Sequence, residues 1–266
     1  MPSDPKIAQV AVLMHVSPAM VFTNHMRRHV QLQGQSGGIA SILAANGFVP
    51  AQCYTNVTAA VPEEDMAKLH EVEIHRLRPT QITVGLIEVH DKRNQLLRLK
   101  KSEQQDFLQS HPIPAVWGPD GKLYITDHHH LGRAAEEAGV DTGFFLVEED
   151  FSKLPIAQFW PRMRDARWAH PIDQHGQLQS FEAIPDHLEK LIDDPYRSLA
   201  GYVRDAGGYE KSPTAFCEFQ WADFFRPRVR IGPTHADFLS AVVAAMKLAA
   251  SPEAAKLPGY KGPPKA

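Results

Sequence analysis

Cysteine is scarce in this 266-residue chain: two stand far apart, Cys53 and Cys217, with no C-x-x-C or other metal-ligand spacing around them. A disulfide framework and a zinc ribbon are therefore excluded as organising principles, and the chain tolerates a reducing compartment. An excess of either charge is lacking too, since 28 Lys and Arg face 31 Asp and Glu for a net charge of −3. Such a balance offers no global attraction to a polyphosphate backbone, which disfavours a dedicated duplex-binding protein unless basic residues are segregated locally. No apolar run approaches membrane-spanning length, and Met1-Pro-Ser-Asp-Pro-Lys6 has neither the cationic nor the apolar region of a leader. The expectation is a cytoplasmic protein without a membrane partner. No period repeats along the chain, so a solenoid is excluded as well.

What is present is the composition of an ordinary globular protein, 43% hydrophobic and 22% charged, long enough to bury a substantial core. Residues 1–68 read as an N-terminal extension. Ile7–Met14 suits a strand or a short buried segment. The cluster His25, Arg27, Arg28 and His29 precedes Gly34-Gln-Ser-Gly-Gly38, which leads into a helical stretch, Ile39–Ala45. A glycine-rich loop before a helix can cradle phosphate, but this one lacks the G-x-x-x-x-G-K-[ST] pattern, and a flexible loop capped by a helix accounts for it.

From residue 69 to 150 the pattern becomes that of a compact α/β module. Val72, Ile74 and Leu77 alternate with charged residues as in a half-buried strand ended by Arg78-Pro79. An apolar stripe with Leu86, Val89, Leu96, Leu97 and Leu99 predicts a helix. A second helix begins at Ser102 and stops at Pro112. Ile113–Trp117 and Lys122–Ile125 form a hairpin across Gly118-Pro-Asp-Gly121, the next helix begins near His129 and ends at Gly139, and Gly143–Val147 is a closing strand. Beyond, residues 151–266 read as mainly helical, with helices near 154–166, 181–192, 196–206, 214–225 and 235–250. The aromatics Phe216, Phe219 and Phe224 share helical faces and read as core, not as a base-stacking platform.

The chemistry concentrates where a strand runs straight into a helix, at Asp127-His128-His129-His130. The first N–H groups of that helix carry partial positive charge and stand beside polar side chains, an arrangement suited to an anion. Consecutive histidines at a helix start point in different directions, so coordination of a metal by all three is the lesser reading. A magnesium ion held by one or two carboxylates and by phosphate oxygens fits better. An aspartate that caps the helix, with histidines packed between layers, is the structural alternative.

Strand, then Asp-x-His-His, then a helix with alanine at its expected position, here Ala134, resembles the signature of the ParB/sulfiredoxin-like superfamily. The likeness is to the Asp-Gly-His-His-Arg form of its free serine kinases and ParB-like nucleases, and it covers about residues 70–150. Two positions depart from that form: His128 replaces the glycine, and Leu131 replaces the arginine that contacts phosphate, with Arg133 near enough to substitute. The resemblance implies an α+β protein: a ParB/sulfiredoxin-like core between an N-terminal extension and a helical C-terminal region. It implies ATP or another nucleotide and Mg2+ as cofactors, and a small-molecule or nucleotide substrate. Glu88, Asp127, His129 and His130 are the implied catalytic residues. Gln81, Thr83, His128 and Arg133 would bind the nucleotide, and Asp127 and Glu88 the metal. Glu88 is placed by position alone, and a surface carboxylate on an amphipathic helix is an equal reading of it. The sulfiredoxin reaction needs a cysteine in the phosphate loop, and none stands here.

Two functions of different class follow. One is an enzyme using ATP or another nucleotide, a kinase-like phosphotransferase, with a pocket joining Glu88, Gln81 and Asp127 to His130. The other is a nuclease or nucleic-acid binder. It requires a basic groove, which only Arg76, Arg78, Lys92, Arg93, Arg98, Lys100 and Lys101 are dense enough to supply.

Overall fold

The structure is a computed structural model that describes residues 69–263. The expectations for Ile7–Met14, for the basic cluster and for the glycine-rich loop lie outside the described residues. Contacts divide the described chain into two compact units, one running through Asp194 and the other starting at Pro195.

The first unit is built on a mixed five-stranded sheet in the order β1-β6-β4-β5-β2: β1 Leu69–Glu73, β2 Leu77–Arg78, β4 Ile113–Trp117, β5 Leu123–Ile125 and β6 Thr142–Asp150. The expected hairpin is present, with β4 antiparallel to β5 in the register Ala115 to Ile125 and Trp117 to Leu123. Gly121 turns it at φ +65, a conformation that suits a residue without Cβ. Strand alternation divides the side chains between two faces. Ile113, Ala115, Leu123 and Ile125 enter one apolar core, whereas Val116 and Tyr124 enter another with Phe159 and Met163. The helices α1 (Leu86–Leu97), α2 (Lys101–Gln109) and α3 (His129–Glu137) contribute Val89, Leu96, Leu108 and Leu131 to the first core. Helix α4 (Ile156–Asp165) covers the second face with Phe159 and Met163.

Helix α3 ends as its sequence requires. Gly139 at φ +69 lets its own N–H reach the Glu136 carbonyl at 3.0 Å and the Val140 N–H reach the Ala135 carbonyl at 3.0 Å, a Schellman closure. A further pair of short parallel strands, β3 (Thr83–Val84) and β7 (Ile192–Asp193), lies outside the main sheet.

Two local expectations change. The strand expected through Val72–Leu77 is interrupted by a 3-10 turn at Ile74–Arg76, where the Ile74 N–H bonds the Asp141 carbonyl at 3.0 Å. The helix expected at 181–192 is two single 3-10 turns, Phe181–Ala183 and Leu188–Lys190, followed by β7. Pro185 explains this, because a residue before proline is driven out of the helical region and Ile184 is extended at φ −67 and ψ 124.

The second unit holds α5 (Pro195–Asp205), α6 (Cys217–Phe225) and α7 (His235–Ala249). Of the aromatic stripe, Phe219 and Phe224 are buried as expected, whereas Phe216, the N-cap of α6, is half-buried. Trp221 is fully buried beside them, stacks on Tyr209 with centroids 4.2 Å apart and donates its indole N–H to the Pro258 carbonyl at 2.8 Å. Glu218 lies between Arg204 and Arg197. Burial alone would raise its carboxyl, but the two guanidinium groups outweigh that and hold it below its ordinary range. Among the described residues, no helix is long and apolar enough to cross a membrane.

Candidate phosphate site at the start of helix α3

The strand-to-helix junction takes three residues. β5 ends at Ile125, Thr126 and Asp127 follow, and His128 serves as the N-cap of α3 in the left-handed region, at φ 59 and ψ 27. That conformation is the one glycine adopts without cost, and His128 stands where the resembling motif has glycine. The Asp127 Oδ1 accepts the His128 N–H at 2.7 Å. Asp127 and His128 are exposed, whereas His129 and His130 are buried.

The buried histidines have defined partners. His129 Nε2 accepts the backbone N–H of Thr80 at 3.0 Å. The Thr80 hydroxyl lies 3.2 Å from the same nitrogen and donates to the Ile125 carbonyl at 2.7 Å. His130 Nε2 accepts the backbone N–H of Gly85 at 3.1 Å. Gly85 is the N-cap of α1, and Glu88 occupies the third helical position, from which a glutamate commonly accepts the N-cap N–H. His130 takes that role instead. Glu88 Oε2 then lies 3.4 Å from His130 Nε2, and Oε1 lies 3.6 Å from the Lys92 ammonium. The next N–H of α1, from Leu86, is accepted by Asp193 Oδ1 at 2.9 Å. Although the residue is exposed overall, partial desolvation of its carboxyl raises Asp193 above its ordinary range, with the neighbouring Asp194 adding to the effect against that hydrogen bond.

The starts of α1 and α3 are thus tied together, and of the residues expected to share a pocket Glu88 lies beside His130. Gln81 and Thr83 sit on the intervening segment, both buried, with the Gln81 amide donating to the Thr83 carbonyl at 2.7 Å. Arg133 extends elsewhere along α3, to Glu137 Oε1 at 2.6 Å and the Leu188 carbonyl at 2.6 Å. Among the described residues, no group of three or more His, Cys, Asp and Glu side chains is placed to hold a metal ion. A cation on Asp127 or Glu88 would need phosphate and water oxygens to complete its shell.

Three of the seven basic residues are tied to partners within the fold, and the other four are exposed. Arg78 donates to the Asp186 carbonyl and lies 3.0 Å from His187 Nδ1, Lys92 pairs with Glu88, and Arg93 lies 3.6 Å from Glu137. Arg76, Arg98, Lys100 and Lys101 are exposed.

Sequence reasoning missed two contributors. His170 bonds through its backbone N–H to the Thr80 carbonyl at 2.8 Å, and its backbone pairs with Gln81 as an isolated bridge. Asp193 caps α1 from more than a hundred positions away. Neither carries a local signal that would have revealed it.

Over residues 70–227 the chain matches the family described as "Putative ParB-like nuclease". The match spans more than half the chain, and the protein belongs to that family. It is also similar to a solved structure, the crystal structure of protein Atu1540 from Agrobacterium tumefaciens. The two are 41% identical with a TM-score of 0.68, and the match covers 73% of this chain and 96% of that one. No functionally curated protein matches the chain.

Proposed function

We propose that this protein is a phosphate-handling enzyme that binds a nucleotide or another small phosphoester at the start of α3. The observation that carries the reading is the junction itself. The left-handed backbone at His128 brings exposed Asp127 and His128 beside the opening N–H groups of α3, which have no intrahelical acceptor. Phosphoryl transfer and phosphoester hydrolysis need such positioning and charge stabilisation more than covalent chemistry.

In this reading the α3 N–H groups and His128 hold phosphoryl oxygens. Asp127 or Glu88 takes the proton of an attacking hydroxyl or water, or supplies an oxygen to Mg2+, Gln81 and Thr83 form the surroundings, and Arg133 would have to leave Glu137 and the Leu188 carbonyl to reach the phosphate. The carboxylate donor set suits magnesium, which completes its shell with phosphate oxygens. The net charge and the pairing of Lys92 and Arg93 with carboxylates favour a small ligand over duplex nucleic acid.

A second reading, cleavage of nucleic acid, is favoured by the description of the family. Calorimetric titration with ATP, ADP, CTP and inorganic phosphate, with and without magnesium, tests the first reading on wild type and on His128→Ala. Binding that weakens in the variant is expected. Absence of binding to every probe, together with magnesium-dependent cleavage of single- or double-stranded DNA, would replace the first reading with the second.

A further inference from the structure

We infer that His129 and His130 are positioning residues that act through the backbone of residues 80–85, so that contact with the phosphate ligand falls to the exposed side of the motif. The inference rests on the reading of the α3 start as a phosphate site and assigns the labour within it.

The argument begins with valence. A neutral imidazole has one nitrogen that donates and one that accepts. A backbone N–H can only donate, so Nε2 of His129, 3.0 Å from the Thr80 nitrogen, is an acceptor, as is Nε2 of His130, 3.1 Å from that of Gly85. In the neutral form both rings therefore carry their proton on Nδ1, and the 3.4 Å approach of Glu88 Oε2 to His130 Nε2 is then a proximity and not a hydrogen bond. Nε2 therefore cannot donate to a phosphoryl oxygen without leaving a buried backbone donor unmet, which is costly, and it is the burial of both rings that keeps their Nδ1–H groups from a ligand on the exposed side. The two rings lie beneath the junction, 3% and 7% exposed, and bind the segment that leads from β2 through Thr80, Gln81 and Thr83 to the first turn of α1. Through Gly85, His130 fixes the direction in which α1 starts, and with it the place of Glu88. Each ring thus joins residues 45 to 49 positions apart in sequence.

The roles separate because glutamine can place an oxygen where histidine places Nε2, whereas leucine cannot. The test therefore compares His129→Gln and His130→Gln with the corresponding leucine variants in the full chain. Three readouts are used: the imidazole tautomer by long-range nitrogen NMR, hydrogen exchange at the Thr80 and Gly85 amides, and calorimetric affinity for inorganic phosphate and ATP with magnesium. In wild type both rings are expected as the Nδ1–H form. The glutamine variants are expected to keep the two amides protected and ATP affinity within about threefold. The leucine variants are expected to exchange those amides about 10 to 100 times faster, in proportion to the loss of a buried acceptor, and to bind ATP at least about tenfold more weakly.

An Nε2–H tautomer in wild type would overturn the inference. So would glutamine variants that lose ATP binding while the Thr80 and Gly85 amides stay protected, since the rings would then be ligand contacts. If the leucine variants fail to fold, the tautomer and the glutamine variants still decide. If wild type binds no probe, the phosphate reading fails by itself, and tautomer and amide exchange continue to test the positioning role.

Discussion

Replacing His128 with glycine removes an imidazole and relaxes a backbone at the same time, and the structure sets the size of each effect. The residue sits at φ 59 and ψ 27 with an exposed side chain. Holding a residue with a Cβ in that region costs about 1–2 kcal/mol, and glycine gives back about 0.4–1 kcal/mol through the greater entropy of its unfolded chain. The net expectation for His128→Gly is a gain of about 0–1.6 kcal/mol, the difference of those two ranges. In a protein of this size that raises Tm by a few degrees, on the scale of about 2–4 °C per kcal/mol. The α3 N-cap keeps its Asp127 bond, which runs through the His128 backbone N–H and survives the change. Urea unfolding followed by circular dichroism measures the shift in midpoint at constant slope. His128→Val, β-branched and poorly suited to this region, should fall in the opposite direction. A loss of more than about 1 kcal/mol in His128→Gly would refute the reasoning, because the cost of the left-handed backbone would then be outweighed by the side chain's own contacts.

Other expectations follow from single contacts. The Glu218 carboxyl is held below its ordinary value of 4.5, burial opposing and Arg197 and Arg204 prevailing. Its contribution is therefore present above that value and lost as pH falls through the lower folded value. In urea melts from pH 7 to 3, the stability difference between wild type and Glu218→Gln should be largest near neutrality and shrink toward acid. Asp193→Ala removes the acceptor of the Leu86 N–H and should lower stability by about 0.5–2 kcal/mol in the same melts. A Cβ at Gly118 would stand 2.5 Å from the Tyr124 ring, so Gly118→Ala should destabilise by about 1–3 kcal/mol, read by thermal unfolding.

Most helices of both units could be read from local signals. Gly139 ends α3, Pro195 starts α5, and the apolar stripe of α1 begins at Leu86, as the sequence suggests. The β4–β5 hairpin followed from Pro119-Asp-Gly121 and its flanking apolar runs. The segment 181–192 was misread because its apolar spacing imitates a helix while Pro185 forbids one. The interrupted first strand and the β3–β7 pair depend on long-range bonds to Asp141 and Ile192 that no local pattern announces.

At the candidate site, the residue types were legible and the geometry was not. Asp-x-His-His marked the junction, but a run of histidines does not state which rings face inward. The partners of His129 and His130 are backbone N–H groups, which any sequence supplies at every residue but proline. The left-handed N-cap was foreshadowed only by the glycine that His128 replaces.

The central claim is that a phosphate-bearing ligand docks at the opening turn of α3. Backbone amide shifts, followed while ATP with magnesium is titrated into the nitrogen-labelled full chain, test it most directly. The account predicts saturable shifts largest at the amides of His129, His130 and Leu131, with Asp127 and His128 next. Saturable shifts centred elsewhere in the chain, or none at these amides at any nucleotide concentration, would contradict it.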